Sequence, residues 1–278
     1  MSSTPYNPGD DGAKLSFAND MSYADYLALD PLLSAQHPLS NAHDEMLFIV
    51  QHQTSEIWMR LALHELSAAR RRLMEGDFAP TFKMLTRVAR IFEQLNGSWD
   101  VLRTMTPSEY TTFRDDLGAS SGFQSHQYRL IEFILGNRNP AMMKVHEHHT
   151  PTHTQLTSEL AVKSLYHVAL DQLSAHLNRR FDAEIYQLRA PHQADDTVIE
   201  AWAEIYKDPT THWPLYELAE KLVDMEDYFR RWRFNHVTTV ERIIGFKRGT
   251  GGTAGVQYLR KMLEVELFPE LWRVRSIL

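Results

Sequence analysis

Two histidines stand at positions where apolar residues belong. Leu222, Met225, Phe229, Trp232, His236, Val240 and Ile243 follow one another at three- or four-residue spacing, which places them on one helix face. A histidine inside such a stripe is buried. It prefers to be neutral there and must find a partner for its ring nitrogens: a carbonyl, a carboxylate or a metal. A core histidine satisfied by hydrogen bonds is the plain reading of one such position. A second stripe, Phe48, His52, Ser55, Met59, Leu63 and Leu66, repeats the interruption at His52. Two polar breaks in two apolar stripes point to a polar site set into an apolar pocket between helices.

A third group surrounds this pair. Thr106-Pro107-Ser108-Glu109 is a capping box with proline at the first helical position, so a helix starts there, and Tyr110, Arg114 and Leu117 fall on one face of it at i, i+4 and i+7. Arginine suits a carboxylate, which it binds through two parallel hydrogen bonds. Arg114 by itself fits a surface ion pair as well; beside Tyr110 and Leu117 it fits a clamp at a pocket rim. The segment GFKRGTGG, from Gly245 to Gly252, lacks the spacing of a phosphate-binding P-loop. Gly249 to Ala254 spell G-x-G-x-x-A, but a helix precedes them where a dinucleotide fingerprint requires a strand. What remains is a flexible segment carrying Lys247, Arg248 and Thr250, able to lie over an anionic ligand.

Cysteine is absent, so thiolate-ligated iron, iron–sulfur clusters and cysteine nucleophiles are excluded, and the 14 histidines must carry any soft-metal chemistry. Neither the Glu-x-x-His of di-iron bundles nor the zinc-protease H-E-x-x-H is present. His146, His148, His149 and His153 crowd into HEHHTPTH, beside the loop signals of Pro140 and Pro151. This segment reads as a surface loop of adventitious metal affinity, since no predicted helix there holds ligand geometry for zinc.

Helices are what must position these groups. Apolar residues recur at three- and four-residue spacing nearly throughout, with no sustained alternation of period two, so the fold class is all-α. Helices are predicted over residues 23–33, 44–74, 78–102, 107–117, 125–135, 154–177, 196–206, 214–244 and 254–266. No linker or repeat divides the chain, and a disordered segment over residues 1–20 followed by one helical domain over 21–278 is expected. With 278 residues and 43% hydrophobic composition the core can be large. A net charge of −7 argues against nucleic acid or an anionic membrane as partner. No signal-like or membrane-spanning run is seen, and a cytoplasmic location is expected.

At these residues the chain resembles the tryptophan 2,3-dioxygenase family, especially its bacterial members. The stretches that carry the likeness are DEMLFIVQHQTSEIW (44–58), TPSEYTTFRDDLGASSGFQSHQYR (106–129) and RWRFNHVTTVERIIGFKRGTGGTAGVQYL (231–259), with SYADYLALDPLLSAQHPL before them. The His-rich segment and the first twenty residues depart from the family pattern. The resemblance implies a haem b enzyme, active with ferrous iron. It would insert both atoms of O2 across the indole C2–C3 bond of L-tryptophan to give N-formyl-L-kynurenine, the first step of the kynurenine pathway of tryptophan catabolism.

By the same resemblance His236 matches the proximal iron ligand, which agrees with the stripe, because haem lets an axial histidine be buried and satisfied. His52 matches the distal histidine that accepts from the indole N–H, a role of orientation more than of base, since that N–H is a very weak acid. Phe48 matches an aromatic wall, Arg114 with Tyr110 the carboxylate clamp, and Thr250 a contact to the amino-acid end of the substrate. Leu117 stands with the clamp, and Ser121 and Gly122 match the distal haem edge. A haem propionate would meet the ammonium group of the substrate. Tyr23, Tyr26 and Leu27 match residues donated to a neighbouring subunit of a homotetramer, a dimer of dimers. Two other classes stay open on the residues alone: a haem sensor without turnover, which leaves Arg114 without a task, and a helical scaffold in which both buried histidines are structural.

Overall fold

The structure, a computed structural model, describes residues 5–187 and 192–278, and their regular secondary structure is entirely helical. Packing divides the chain into two units, Met1–Leu39 and Ser40–Leu278, a boundary well inside the segment expected to be one domain. In the first unit a 3-10 turn, Pro8–Asp11, is capped by Asn7, and two short helices follow, α1 (Tyr23–Leu27) and α2 (Leu29–Leu33). The single helix predicted over 23–33 is broken at Ala28, whose φ of 51° lies in the left-handed region. Ser22 and Asp25 form a capping box that starts α1 but has no counterpart to carry it further.

The second unit is organised on three long helices, α3 (His43–Met74), α4 (Phe78–Leu102) and α10 (Trp213–Ile244). Leu85, Val88, Phe92, Leu95, Trp99 and Leu102 form the apolar stripe of α4 and are all buried. Burial of each such side chain contributes about 1.5–3 kcal/mol. Both α3 and α10 pack along α4, while they do not pack extensively against each other. The two histidine stripes therefore sit on helices that share a neighbour and leave space between them. This is the decisive feature of the architecture.

Shorter elements close that space: α5 (Pro107–Thr111), a 3-10 turn Gly122–Gln124, α6 (His126–Leu135) and α11 (Val256–Leu263). Behind them lie α7 (Thr150–Leu160), α8 (Leu165–His176), α9 (Asp196–Lys207) and α12 (Pro269–Val274). The helix predicted over 154–177 is two helices, because Ser164 accepts from the backbone of His167 and starts a new one. The short α12 was not anticipated by the sequence pattern. It is anchored by the fully buried Glu226 of α10, whose carboxylate accepts from the backbone N–H groups of Leu267 (2.8 Å) and Phe268 (2.9 Å). No helix among the described residues is long and apolar enough to cross a membrane.

Candidate active site

Between α3, α4, α6, α10 and α11 lies a cavity with about 230 Å³ open to the centres of water-sized molecules. Phe48, His52, Tyr110, Ser121, Gly122, Thr250 and His236 all line it, so seven residues singled out in the sequence meet on one wall system. His52 and His236 are close enough for each to matter to the other's charge: burial first, then His52, pushes the His236 imidazole down to about 4. His236 is neutral at physiological pH. Among the described residues neither of its ring nitrogens has a hydrogen-bond partner, and its ring is instead stacked on Trp99, with centroids 5.0 Å apart and planes at 19°. Trp232 supports it from a second side at 5.4 Å. The core-histidine reading, which requires hydrogen-bond partners, finds none for this ring among the described residues.

His52 is different. Its Nδ1 lies 2.7 Å from the carbonyl of Phe48, an atom that only accepts, so Nδ1 carries the hydrogen. Burial lowers its pKa, opposed by that bond and by Glu56, so the ring is neutral and Nε2 holds a lone pair. The Phe48 ring lies 4.2 Å from the His52 ring and 5.9 Å from that of Tyr110, which makes an aromatic wall beside an acceptor.

Arg114 and Leu117 are not on the cavity wall. The predicted helix over 107–117 ends at Thr111, after which Arg114–Leu117 form a 3-10 turn, so the three residues are not carried by one continuous helix, although Arg114 still meets the Tyr110 phenol. The cause is local: Thr111 and Thr112 bond their hydroxyls back to the carbonyls of Pro107 and Glu109, and Phe113 turns fully into the core. Burial pushes the Tyr110 phenol up, opposed by the charge of Arg114 and the hydrogen bond between the two side chains. Arg114 Nη2 donates to the carbonyl of Arg248 at 2.9 Å, and its Nε is buried without a partner. Leu117 packs against the core. Tyr23, Tyr26 and Leu27 belong to the N-terminal unit, where they are exposed.

The glycine-rich loop is fitted to the Ser120–Ser121 turn. Thr250 donates its hydroxyl to the carbonyl of Ser120, and a Cβ added to Gly251 would stand 2.7 Å from the Cβ of Ser121. At Gly255, with φ at +59°, a Cβ would meet the carbonyl of Lys247 at 2.5 Å. Gly122 is the opposite case, since a Cβ there meets no protein atom.

The His-rich segment is not the loop that was expected. Pro140–His146 is a 3-10 helix ending in a buried His146, and His149 caps α7, which carries His153. No group of three or more His, Cys, Asp or Glu among the described residues could hold a metal ion. Sequence reasoning missed Trp99, which its stripes did not include, and a buried ionic cluster that lines part of the cavity. There Glu132 receives Arg129 Nη1, Arg233 Nη2 at 2.7 Å and Asn137 Nδ2 at 3.0 Å. Arg233, a charged residue i+4 from Phe229 of the α10 stripe and buried, was the available signal.

With this geometry in place, comparison with known proteins is decisive. The sequence profile of the tryptophan 2,3-dioxygenase family matches residues 9–180 and 153–278. The chain belongs to the tryptophan 2,3-dioxygenase family. It is 69% identical over 275 residues to the tryptophan 2,3-dioxygenase of Ruegeria pomeroyi, covering 99% of each chain. It is 63% identical over 280 residues to that of Bradyrhizobium diazoefficiens, covering all of both, and 59% identical over 266 residues to that of Ralstonia pickettii, covering 95% of each. As a member of the tryptophan 2,3-dioxygenase family the chain is an enzyme.

Proposed function

We propose that the chain is a haem b dioxygenase that inserts O2 into the indole C2–C3 bond of L-tryptophan to give N-formyl-L-kynurenine, the entry step of the kynurenine pathway. The observation that carries the reading is His236: a neutral imidazole on a cavity wall with no hydrogen-bond partner for either nitrogen among the described residues. A lone imidazole does not make a metal site by itself, and among the described residues no set of ligands for a bare ion surrounds it. It fits a metal that brings its other ligands in a flat macrocycle, and the apolar wall of Leu102, Met105, Trp232, Val240 and Ile243 fits the body of such a group. When bound through His236, haem supplies the ferrous iron that activates dioxygen.

The rest is done by side chains of this chain. His52, fixed by Phe48 as the tautomer with a free Nε2, accepts a hydrogen bond from the indole N–H and sets the ring's orientation without removing its proton. Phe48 gives the indole a flat face. Arg114, with its unpartnered Nε, and the Tyr110 hydroxyl take the substrate carboxylate, while Thr250 presents a hydroxyl from the glycine-rich loop. Ser121, packed under Gly251, sets how closely that loop approaches. Water is excluded as the loop settles.

Two exposed surfaces favour the homotetramer. Tyr23 and Tyr26 are about three-quarters exposed, at 75% and 77%, an unusual state for aromatic residues unless a neighbouring copy covers them. Met46, Val50, Ile57 and Leu61 form a second uncovered apolar row along α3. We place the protein in the cytoplasm. The test is an absorption spectrum under reducing conditions together with L-tryptophan-dependent O2 uptake. A Soret band with turnover is expected; a band without turnover makes the protein a haem sensor, and a preparation that binds no haem removes the reading.

A further inference from the structure

Haem ligation through His236, as proposed above, requires the imidazole to hold one height and one rotation about the α10 axis, and apolar contacts alone leave both loosely defined. Two polar attachments to α4 lie on either side of it. On the N-terminal side, Asn235 Nδ2 donates to Asn96 Oδ1 at 3.0 Å, and Asn96 Nδ2 donates in turn to the carbonyls of Tyr228 (3.1 Å) and Phe92 (2.8 Å). Beyond His236, Arg103 Nε donates to Thr239 Oγ1 at 2.8 Å, and its Nη2 reaches Thr238 Oγ1 and both oxygens of Asn235, each at 3.3 Å. Arg242 Nε closes the arrangement by donating to the carbonyl of Arg103 at 3.2 Å.

Asn96 and Trp99 of α4 and Arg103, which caps its C-terminal end in helical conformation, fall at i, i+3 and i+7 and so continue one face. The middle residue is the ring on which His236 is stacked. The outer two hold the residues that flank His236 in sequence. We infer that Arg103, together with Asn96, is a positioning residue for His236, locking the rotation of α10 so that the imidazole stays flat on Trp99. Arg103 does not line the cavity and touches no ligand there; it acts through Thr239, which does line it, and through Asn235. A guanidinium suits this task because its donors lie in one rigid plane and engage several acceptors together.

The test compares Arg103→Leu, Arg103→Lys and Thr239→Val with the wild type, and takes Arg87→Leu as control. Arg87 also ties two long helices, through Glu65 at 2.6 Å, but does so away from His236. Haem release to apomyoglobin and the iron–histidine vibrational band are read in the holoprotein, and the ring 15N signals of His236 in the haem-free chain. Arg103→Leu is expected to release haem about tenfold faster, with a shifted or doubled vibrational band and doubled ring signals. Arg103→Lys should fall between, Thr239→Val should move the same signals less while keeping side-chain volume, and Arg87→Leu should leave them unchanged. Wild-type release and signals in both Arg103→Leu and Thr239→Val overturn the inference, as does an equal change in Arg87→Leu. Loss of the ligand reading itself shows separately, as a spectrum that survives His236→Ala; the ring signals of the haem-free chain still decide the role of Arg103 in that event.

Discussion

The indole of Trp99 lies almost parallel to the imidazole of His236, with 5.0 Å between centroids and 19° between planes. A stacked histidine with no hydrogen bond is held by shape, and its nitrogens stay available. This arrangement differs from that of His52, which spends one nitrogen on the carbonyl of Phe48. The two half-buried histidines are thus prepared for different tasks, one to ligate and one to accept.

Replacing His236 by alanine removes, among the described residues, the one imidazole of the cavity wall without a hydrogen bond. The variant is expected to keep its helical circular dichroism and to lose stably bound haem. Retention of a normal Soret band after gel filtration would falsify the ligand assignment.

Arg114→Ala is expected to raise KM for L-tryptophan roughly ten- to a hundredfold, the range for losing charged hydrogen bonds to a carboxylate, with a much smaller effect on tryptamine, which lacks that group. Arg114→Lys should not recover the loss, because a point charge cannot reproduce the planar contact. Steady-state kinetics on both substrates decide the matter. An equal effect on the two counts against the clamp.

Gly251→Ala places a methyl group 2.7 Å from the Cβ of Ser121, so the loop must lift and Thr250 must leave the carbonyl of Ser120. A drop of about tenfold in kcat/KM is expected, with haem content and melting temperature little changed. Combining it with Ser121→Gly, which removes the atom it strikes, should recover part of the activity. No recovery in the double variant would show that the contact is not the cause.

Glu132→Ala leaves Arg129 and Arg233 buried without their shared carboxylate. Breaking a buried ion cluster on one side costs about 3–5 kcal/mol. Urea denaturation measures this directly, and a loss under about 1 kcal/mol would mean that water reaches the cluster.

In the haem-free chain both His236 and His167 have imidazoles pushed down to about 4, chiefly by burial. Above the ordinary histidine value of 6.5 the folded and unfolded chains bind the same protons at these sites. As pH falls from there toward 4, the unfolded chain takes protons that the folded chain refuses, so stability is lost over that window, by up to roughly 3 kcal/mol for each group. The urea midpoint of the haem-free chain should therefore drop between pH 7.5 and 5, and His167→Gln should flatten part of the slope. The lowered pKa of His52 has a kinetic counterpart: the acid limb of kcat/KM should lie below the ordinary histidine range. A midpoint that stays level across this window contradicts the assignment of neutral buried rings.

Residue spacing alone determined that the protein is all-α and that His52 and His236 interrupt apolar stripes. It also determined that Thr106 to Glu109 start a helix, where the structure shows Glu109 Oε2 accepting from the backbone of Thr106 at 2.6 Å. These are local facts, set by helix periodicity and capping. Tertiary structure decided the rest. That α3 and α10 share α4 and leave a cavity between their histidines, that Trp99 lies under His236, and that Arg114 meets both the Tyr110 phenol and the carbonyl of Arg248 depend on which faces meet. Periodicity tells which side of a helix is apolar, but it carries no information about what that side touches, and a histidine takes its chemistry from its neighbours.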